Sequence, residues 1–149
     1  MNTETTTGEY MLLFRGPHWD RGLSQQELQA AMDKVIAWFE GLNQHGKIKT
    51  GQPLGTQGRI ISGTNGQLVV DGPFAESKEA VGGYLLVQAG NLNEASEIAR
   101  SAPMLKYGIT VEVRPILAEC PIFQRHPDLA QRARERAVQA DQLWAAVAA

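Results

Sequence analysis

Two short loops concentrate side chains that could do chemistry. The first spans residues 71–79 and reads Asp-Gly-Pro-Phe-Ala-Glu-Ser-Lys-Glu, with three carboxylates and one ammonium beside an aromatic ring. Its Gly-Pro step has a restricted backbone, so the loop could hold a fixed shape and present side chains to a ligand. The candidate ligand-binding residues are Asp71, Phe74, Glu76 and Lys78. In the structural alternative, Asp71 and Glu76 cap backbone amides and Phe74 fills a core or dimer contact.

The second loop follows the first apolar run and reads Arg15-Gly-Pro-His18-Trp-Asp20. Loops at strand ends often contact ligands. We therefore take Arg15 and His18 as further ligand-binding candidates. His18 with Asp20 could act as a general base and its orienting group. Two residues apart in a loop, the same pair could also simply be solvated.

Other chemistry finds little support in the sequence. No Gly-rich phosphate loop with Lys, paired cysteines or His-Glu-x-x-His motif is present, and the three histidines are scattered. We expect no metal site and no cofactor. The single cysteine, Cys120, has no neighbour that would lower its pKa and is interpreted as an ordinary thiol.

The elements that must position these loops follow from periodicity. Residues 10–14 form an apolar run that suits a strand buried on both faces. Ser24 and Glu27 form a capping box before an apolar helical stripe that ends near Gly46. Asn65-Gly66 predicts a type I′ hairpin between two short strands. Further strands are predicted at 47–54, 84–89 and 110–116, with a second helix from Asn91 to a stop at Pro103.

The predicted order is β-α-β-β-β-β-α-β, an α+β domain with an antiparallel ferredoxin-like sheet and two helices on one face. The other face carries the alternate residues of apolar strands and needs cover. A second copy of the sheet is the simplest source, so we expect a homodimer. We expect residues 1–8 to be a disordered leader, 9–121 the domain, and 122–149 a C-terminal helical extension.

Composition limits the possible classes of protein. The chain has 149 residues, a net charge of −2 and one cysteine, which favours a single cytoplasmic domain. We expect no nucleic-acid partner, because no global positive field exists. We expect no membrane partner, because no apolar run reaches the ~20 residues of a membrane span and residues 1–8 lack the features of a signal peptide.

The motif at 71–79, followed by Gly82-Gly83-Tyr84, resembles the signature of the DGPF, or YCII-related, domain family. The strand 111–116 is similar to the closing strand of that family, and the likeness covers about residues 9–121. The resemblance implies a dimeric α+β barrel, bacterial relatives linked to extracytoplasmic-function sigma factors, and no assigned reaction. The YCII branch carries a His in its first helix and an Asp before the Pro that closes its second helix. Here Ala102 precedes Pro103 and His45 lies only at the helix end, so that acid/base pair does not carry over.

Three hypotheses for function remain open. The first is a homodimeric small-molecule-binding or regulatory module without a reaction. The second is a small cofactor-independent enzyme with a pocket between the sheet and the helices, which rests on fold analogy. The third is a sigma-factor-linked regulatory protein that binds a protein partner.

Overall fold

The strands and helices of residues 9–121 follow one another in the predicted order, with four strands between the first and second helices. The computed structural model describes residues 6–71 and 79–139. The strands are β1 (Thr6–Arg15), β2 (Ile48–Pro53), β3 (Ile60–Thr64), β4 (Gln67–Asp71), β5 (Val81–Gln88) and β6 (Thr110–Leu117). The helices are α1 (Gln25–Gln44), α2 (Leu92–Arg100), a 3-10 helix (Pro103–Tyr107), α3 (Pro121–Arg125) and α4 (Pro127–Gln139).

Four strands form one sheet in the order β2-β5-β1-β6. β5 is antiparallel to both β1 and β2, and Leu12 of β1 lies opposite Leu85 of β5. β2 lies at the edge, where the irregularity between Ile48 and Thr50 and the terminal Pro53 are tolerated. This arrangement confirms the predicted ferredoxin-like α+β fold.

The two faces of the sheet differ in burial. Tyr10, Leu12 and Phe14 of β1 are buried with Leu85 and Val87 of β5 in one core that also holds residues of α1 and α2. The alternate residues point the other way because successive side chains of a strand face opposite sides. Four apolar residues of that second face are half-buried: Met11, Leu13, Tyr84 and Leu86.

Local sequence features set the helix ends. The Ser24 hydroxyl accepts from the Glu27 amide at 3.1 Å, and the Ser24 amide donates to the Glu27 carboxylate at 2.8 Å. This confirms the predicted capping box. After α1, Gly46 takes a φ of +66°, the left-handed conformation expected of a helix-terminating glycine. The Asn91 side chain accepts from the Glu94 amide at 2.8 Å and starts α2.

Two boundaries differ from the sequence prediction. α2 ends at Arg100, and Pro103 begins a 3-10 helix because proline fits the first helical turn, where its missing N–H is not needed. β5 begins at Val81, so Gly82 and Gly83 are part of the strand. A Cβ on Gly82 would lie 2.9 Å from the Cβ of Pro17, and this close approach of the preceding loop explains a glycine inside a strand.

β3 and β4 form a separate two-stranded hairpin. Its turn has positive φ at both Asn65 (+51°) and Gly66 (+79°), which confirms the predicted type I′ turn. The exposed large apolar residues of the hairpin are Ile60, Ile61, Leu68, Val69 and Val70.

The contacts divide the chain into two units, residues 8–116 and residues 1–7 with 117–149. The predicted C-terminal helical extension contains α3 and α4 in its described part. Residues 1–5 of the predicted leader and residues 140–149 of the extension lie outside the described residues. Within the described part, no helix is both long enough and apolar enough to span a bilayer.

Candidate functional site

An apolar cavity of about 600 Å³ lies in the unit of residues 8–116. It is bounded by the helix-facing side of the sheet and by α1, the 3-10 helix and the loop after β1. We refer to it as the aromatic cavity. Its lining residues are Phe14, Pro17, Trp19, Phe39, Ile48, Gly51, Gln52, Pro53, Leu54, Thr56, Gly82, Gly83, Tyr84, Leu85, Met104 and Ile109.

Each wall of the aromatic cavity follows from local folding. Phe14 is the last buried residue of β1, and its ring meets Trp38 of α1 edge-on with the centroids 6.4 Å apart. Phe39 lies next to Trp38 on α1 and is 36% exposed. Met104 of the 3-10 helix and Ile109, just before β6, are buried and close the opposite side. Core packing therefore fixes the parts of the wall that Phe14, Met104 and Ile109 form.

Glycines form the sheet side of the aromatic cavity. A Cβ on Gly51 would lie 2.8 Å from Cδ1 of Leu85, and one on Gly83 would lie 3.1 Å from the carbonyl oxygen of Gln52. β2 and β5 can lie this close together only because these positions lack side chains. On this side the cavity is therefore bounded by the backbone of β2 and β5, and no side chain of Gly51 or Gly83 fills it.

The chemical character of the aromatic cavity is uncharged. None of the residues that line it carries a formal charge at neutral pH. Such a surface binds flat apolar groups by stacking and by release of water from apolar surface.

A second cavity of about 560 Å³ lies beside the first, and the two share Pro17 and Trp19. We refer to it as the basic cavity. Its lining residues are Arg15, Gly16, Pro17, His18, Trp19, Arg21, Glu79, Tyr107, Gly108 and Thr110.

Arg15 is held between two acceptors at the edge of the basic cavity. Its Nη1 donates to the backbone oxygen of Glu79 at 2.7 Å, and its Nη2 donates to Oε1 of Glu112 at 3.3 Å. The Arg15 side chain is 27% exposed. The two hydrogen bonds fix the plane of the guanidinium and connect the end of β1 to β6 and to the chain just before β5.

The structure places the predicted site residues unevenly. Arg15 and His18 lie together in the basic cavity, as the loop motif suggested. Asp71 is the last residue of β4, opposite Ile60, and its side chain is outside the description. Phe74, Glu76 and Lys78 lie outside the described residues. The structure thus leaves the ligand role of the 71–79 loop a prediction.

Sequence reasoning missed the walls of the aromatic cavity. Phe39 belongs to the apolar stripe of α1, a pattern that predicts a core residue, and Met104 follows Pro103 in a segment that carries no motif. A usable indicator was the pair Gly82-Gly83 inside an apolar strand, since glycine there marks close backbone approach. In the sequence, Trp19 stands out only as a neighbour of His18.

Glu94, which lines neither cavity, has a lowered pKa. Oε1 of Glu94 accepts from Nζ of Lys47 at 2.9 Å, and Oε2 accepts from the amide of Gly90 at 2.9 Å. The hydrogen bond from Lys47 is the main cause that lowers the pKa of Glu94 below its ordinary value of 4.5. Among residues 6–71 and 79–139, no three His, Cys, Asp or Glu side chains gather in a metal-binding group.

The two residues of the YCII acid/base pair have no equivalents at the matching positions of this chain. His45 is the exposed residue at the C-terminal end of α1, and its Nδ1 lies 2.7 Å from the carbonyl oxygen of Gly41. Ala102 is buried beside the end of α2. Neither residue is therefore placed to act as the acid or the base of that pair.

One family model and one solved structure are similar to this chain. The family model for the YCII-related domain matches residues 10–119. A solved structure of 5-chloro-2-hydroxyhydroquinone dehydrochlorinase from Burkholderia phenoliruptrix, in complex with 2,5-dihydroxybenzoquinone, is similar at 22% identity and a TM-score of 0.37. That alignment covers 70% of this chain and 90% of the other. No match is found among curated proteins.

Proposed function

The chain belongs to the YCII-related domain family, and on that premise we propose that it is a small-molecule-binding module whose aromatic cavity holds a flat, apolar organic group. The observation that carries the proposal is the lining itself. Three aromatic side chains, Phe14, Trp19 and Phe39, come from three different elements and surround a volume of about 600 Å³. Natural ligand pockets have this size and character.

Part of the wall of the aromatic cavity belongs to the hydrophobic core, which favours binding. Phe14 and Met104 are buried, and they contact a core that extends through both helices and the sheet. A preformed pocket loses little conformational entropy when it takes a ligand. Leu54 and Thr56, in the loop after β2, line the cavity from outside a helix or strand, and we infer that a ligand enters from that side.

We also propose that the module is a homodimer through the face of the sheet that bears no helix. Met11 lies opposite Leu86 and Leu13 opposite Tyr84, so these four residues form a continuous apolar patch across β1 and β5. Cross-strand apolar pairs of this kind need cover from water. A second copy of the same face is the cover that the fold can supply by symmetry.

Binding of an uncharged fluorescent arene, N-phenyl-1-naphthylamine, tests the proposed function. We expect saturable fluorescence enhancement with the wild-type chain. Phe39→Ala removes one aromatic wall and should weaken binding about three- to tenfold, the usual value of an aromatic contact. Ile36→Ala is the matched control, because Ile36 is on the same helix and is 50% exposed but does not line the cavity.

The result that would overturn the proposed function is absence of saturable binding by a folded wild-type chain. Equal weakening by the two alanine variants would also contradict it, since that would place the dye on the surface of α1 rather than in the aromatic cavity.

A further inference from the structure

The β3–β4 hairpin has one face on which every large side chain is apolar. Directly opposed residues of an antiparallel pair share a face, and so do residues two apart along one strand. Ile61 lies directly opposite Val70. Leu68 is two residues from Val70 and therefore lies on the same face. We refer to Ile61, Leu68 and Val70 together as the apolar face of the hairpin.

The apolar face of the hairpin is largely open to water. Leu68 is 78% exposed, Ile61 is 66% exposed and Val70 is 56% exposed. These exposed fractions are the three highest among the large apolar side chains in the described part of the chain. A two-stranded hairpin on its own is only marginally stable in water, so this face needs a surface to pack against.

The hairpin also lacks the residues that usually keep an exposed strand from pairing or packing. Residues 60–70 contain no Asp, Glu, Lys, Arg or Pro. Soluble proteins commonly protect their exposed strands with charged side chains or with proline. Charged residues are depleted in the core of protein interfaces, and homodimer interfaces are the more apolar ones. The composition of the hairpin therefore matches an apolar protein surface and not the phosphates of a nucleic acid.

The proposed homodimer needs more surface than the sheet offers. A stable interface buries about 800 Å² on each partner and takes about 20–30 residues a side. The apolar patch of the sheet face consists of Met11, Leu13, Tyr84 and Leu86, which are already half-buried within one chain. The apolar face of the hairpin offers each copy three more side chains, and each of them is more than half exposed.

From these observations we propose that the β3–β4 hairpin is a dimer arm, which packs its apolar face against a second copy of this chain. In a two-fold dimer each copy supplies one arm and receives the other, so the contact forms twice. The inference rests on the proposed homodimer and adds a second region of contact to it. The aromatic cavity takes no part in it.

Photo-cross-linking tests where the dimer arm lies. Leu68→p-benzoylphenylalanine places a benzophenone on the apolar face of the hairpin. Ile36→p-benzoylphenylalanine is the control, because Ile36 lies on α1 and is 50% exposed. Each variant is mixed with ¹⁵N-labelled wild-type chain, and the fraction with the mass of a dimer is irradiated. For the variant at Leu68 we expect cross-links that join an unlabelled peptide to a ¹⁵N-labelled one, and for the control we expect few or none.

The dissociation constant of the dimer gives a second, independent test. Leu68→Ser should raise it about tenfold or more, the usual effect of losing a buried leucine side chain. Val69→Ser is the matched control, because Val69 lies on the same strand opposite Ser62 and its side chain points to the other face. Its dissociation constant should change by less than about threefold. Sedimentation equilibrium measures both constants, and circular dichroism confirms that the variants fold.

The outcomes separate the dimer arm from the proposed homodimer. If the wild-type chain is a dimer but the benzophenone at position 68 links only residues of its own chain, or none, the dimer arm is wrong and the homodimer stands. The same holds if the two serine variants raise the dissociation constant equally or not at all. If the wild-type chain is a monomer at every concentration, the arm and the homodimer both fail. Binding of N-phenyl-1-naphthylamine still decides the aromatic cavity in each of these cases.

Discussion

Trp19 and Tyr107 stack with their ring centroids 5.5 Å apart, and Trp19 forms a wall shared by the aromatic and basic cavities. Trp19 lies in the loop after β1, and Tyr107 is the last residue of the 3-10 helix before β6. The stack therefore connects two loops at one end of the sheet. The contact with Tyr107 therefore helps to hold the Trp19 ring in place.

The first prediction concerns this shared wall. Trp19→Ala removes the ring and should weaken the binding of N-phenyl-1-naphthylamine about three- to tenfold. Trp19→Phe keeps a ring in place and should retain most of the affinity. Calorimetric titration measures both. Wild-type affinity for the dye in a folded Trp19→Ala chain would show that the shared wall is not part of the site.

The second prediction concerns the close contact of Gly82 with Pro17. A Cβ at position 82 would lie 2.9 Å from the Cβ of Pro17, so Gly82→Ala should push away the loop that lines both cavities. We expect a loss of about 1–3 kcal/mol in the free energy of unfolding, as for overpacked sites, together with weaker dye binding. Urea denaturation and dye titration measure the two effects.

Gly55→Ala is the control for that substitution. No atom lies within 4 Å of a Cβ built on Gly55, and Gly55 does not line the aromatic cavity. Its unfolding free energy should change by no more than about 0.5 kcal/mol. The explanation of Gly82 as a packing requirement fails if the two alanine variants unfold at the same urea concentration.

The third prediction concerns the dimer. Leu86→Glu places a charge in the apolar patch of the sheet face and should convert a dimer to a monomer, because an unpaired charge is costly in an interface. Ile36→Glu adds the same charge to the exposed side of α1 and should leave the dimer intact. Light scattering after size exclusion gives the mass, and circular dichroism confirms folding. A folded Leu86→Glu chain with the mass of the wild-type dimer would exclude this face as the interface.

The fourth prediction concerns pH. Glu94 is ionised and bonded to Lys47 in the folded chain, and its pKa is lowered. A group with a lowered folded-state pKa adds stability above its unfolded pKa, and that stability is lost as the pH falls through the folded value. Wild type should therefore be more stable than Glu94→Gln at pH 7, and the difference should shrink as the pH falls below the ordinary value of 4.5.

Thermal melts between pH 3 and pH 7 measure that difference. Glu97→Gln serves as the comparison, because Glu97 and Arg100 form an exposed surface pair that adds little stability. A gap between wild type and Glu94→Gln that is constant with pH would assign the effect to packing of the side chain rather than to its charge.

The sequence predicts the sheet and helix order because these depend on local rules. The capping box at Ser24 and Glu27, the Asn65-Gly66 turn and the alternation in β6 each act within a few residues. The family motif at 71–79 adds the topology. These features together predict the ferredoxin-like sheet.

The aromatic cavity could not be predicted in the same way, because its walls come from distant parts of the chain. Phe14 and Phe39 belong to different elements, and each looks like an ordinary core residue in its own segment. Arg15 and His18 are candidates from the sequence because they lie in one loop at the end of a strand, where ligand contacts are common. Charge and short spacing are visible in a sequence, whereas an apolar concavity depends on tertiary packing.

Methyl NMR of methionine tests the central claim most directly. The chain has four methionines, of which Met104 lines the aromatic cavity, Met32 is exposed on α1, and Met11 lies on the other face of the sheet. With ¹³C-methyl methionine, addition of N-phenyl-1-naphthylamine should shift the Met104 resonance, assigned by Met104→Leu, and leave Met11 and Met32 in place. A Met104 resonance that does not move at saturating dye, or a shift confined to Met11 or Met32, would contradict binding in the aromatic cavity.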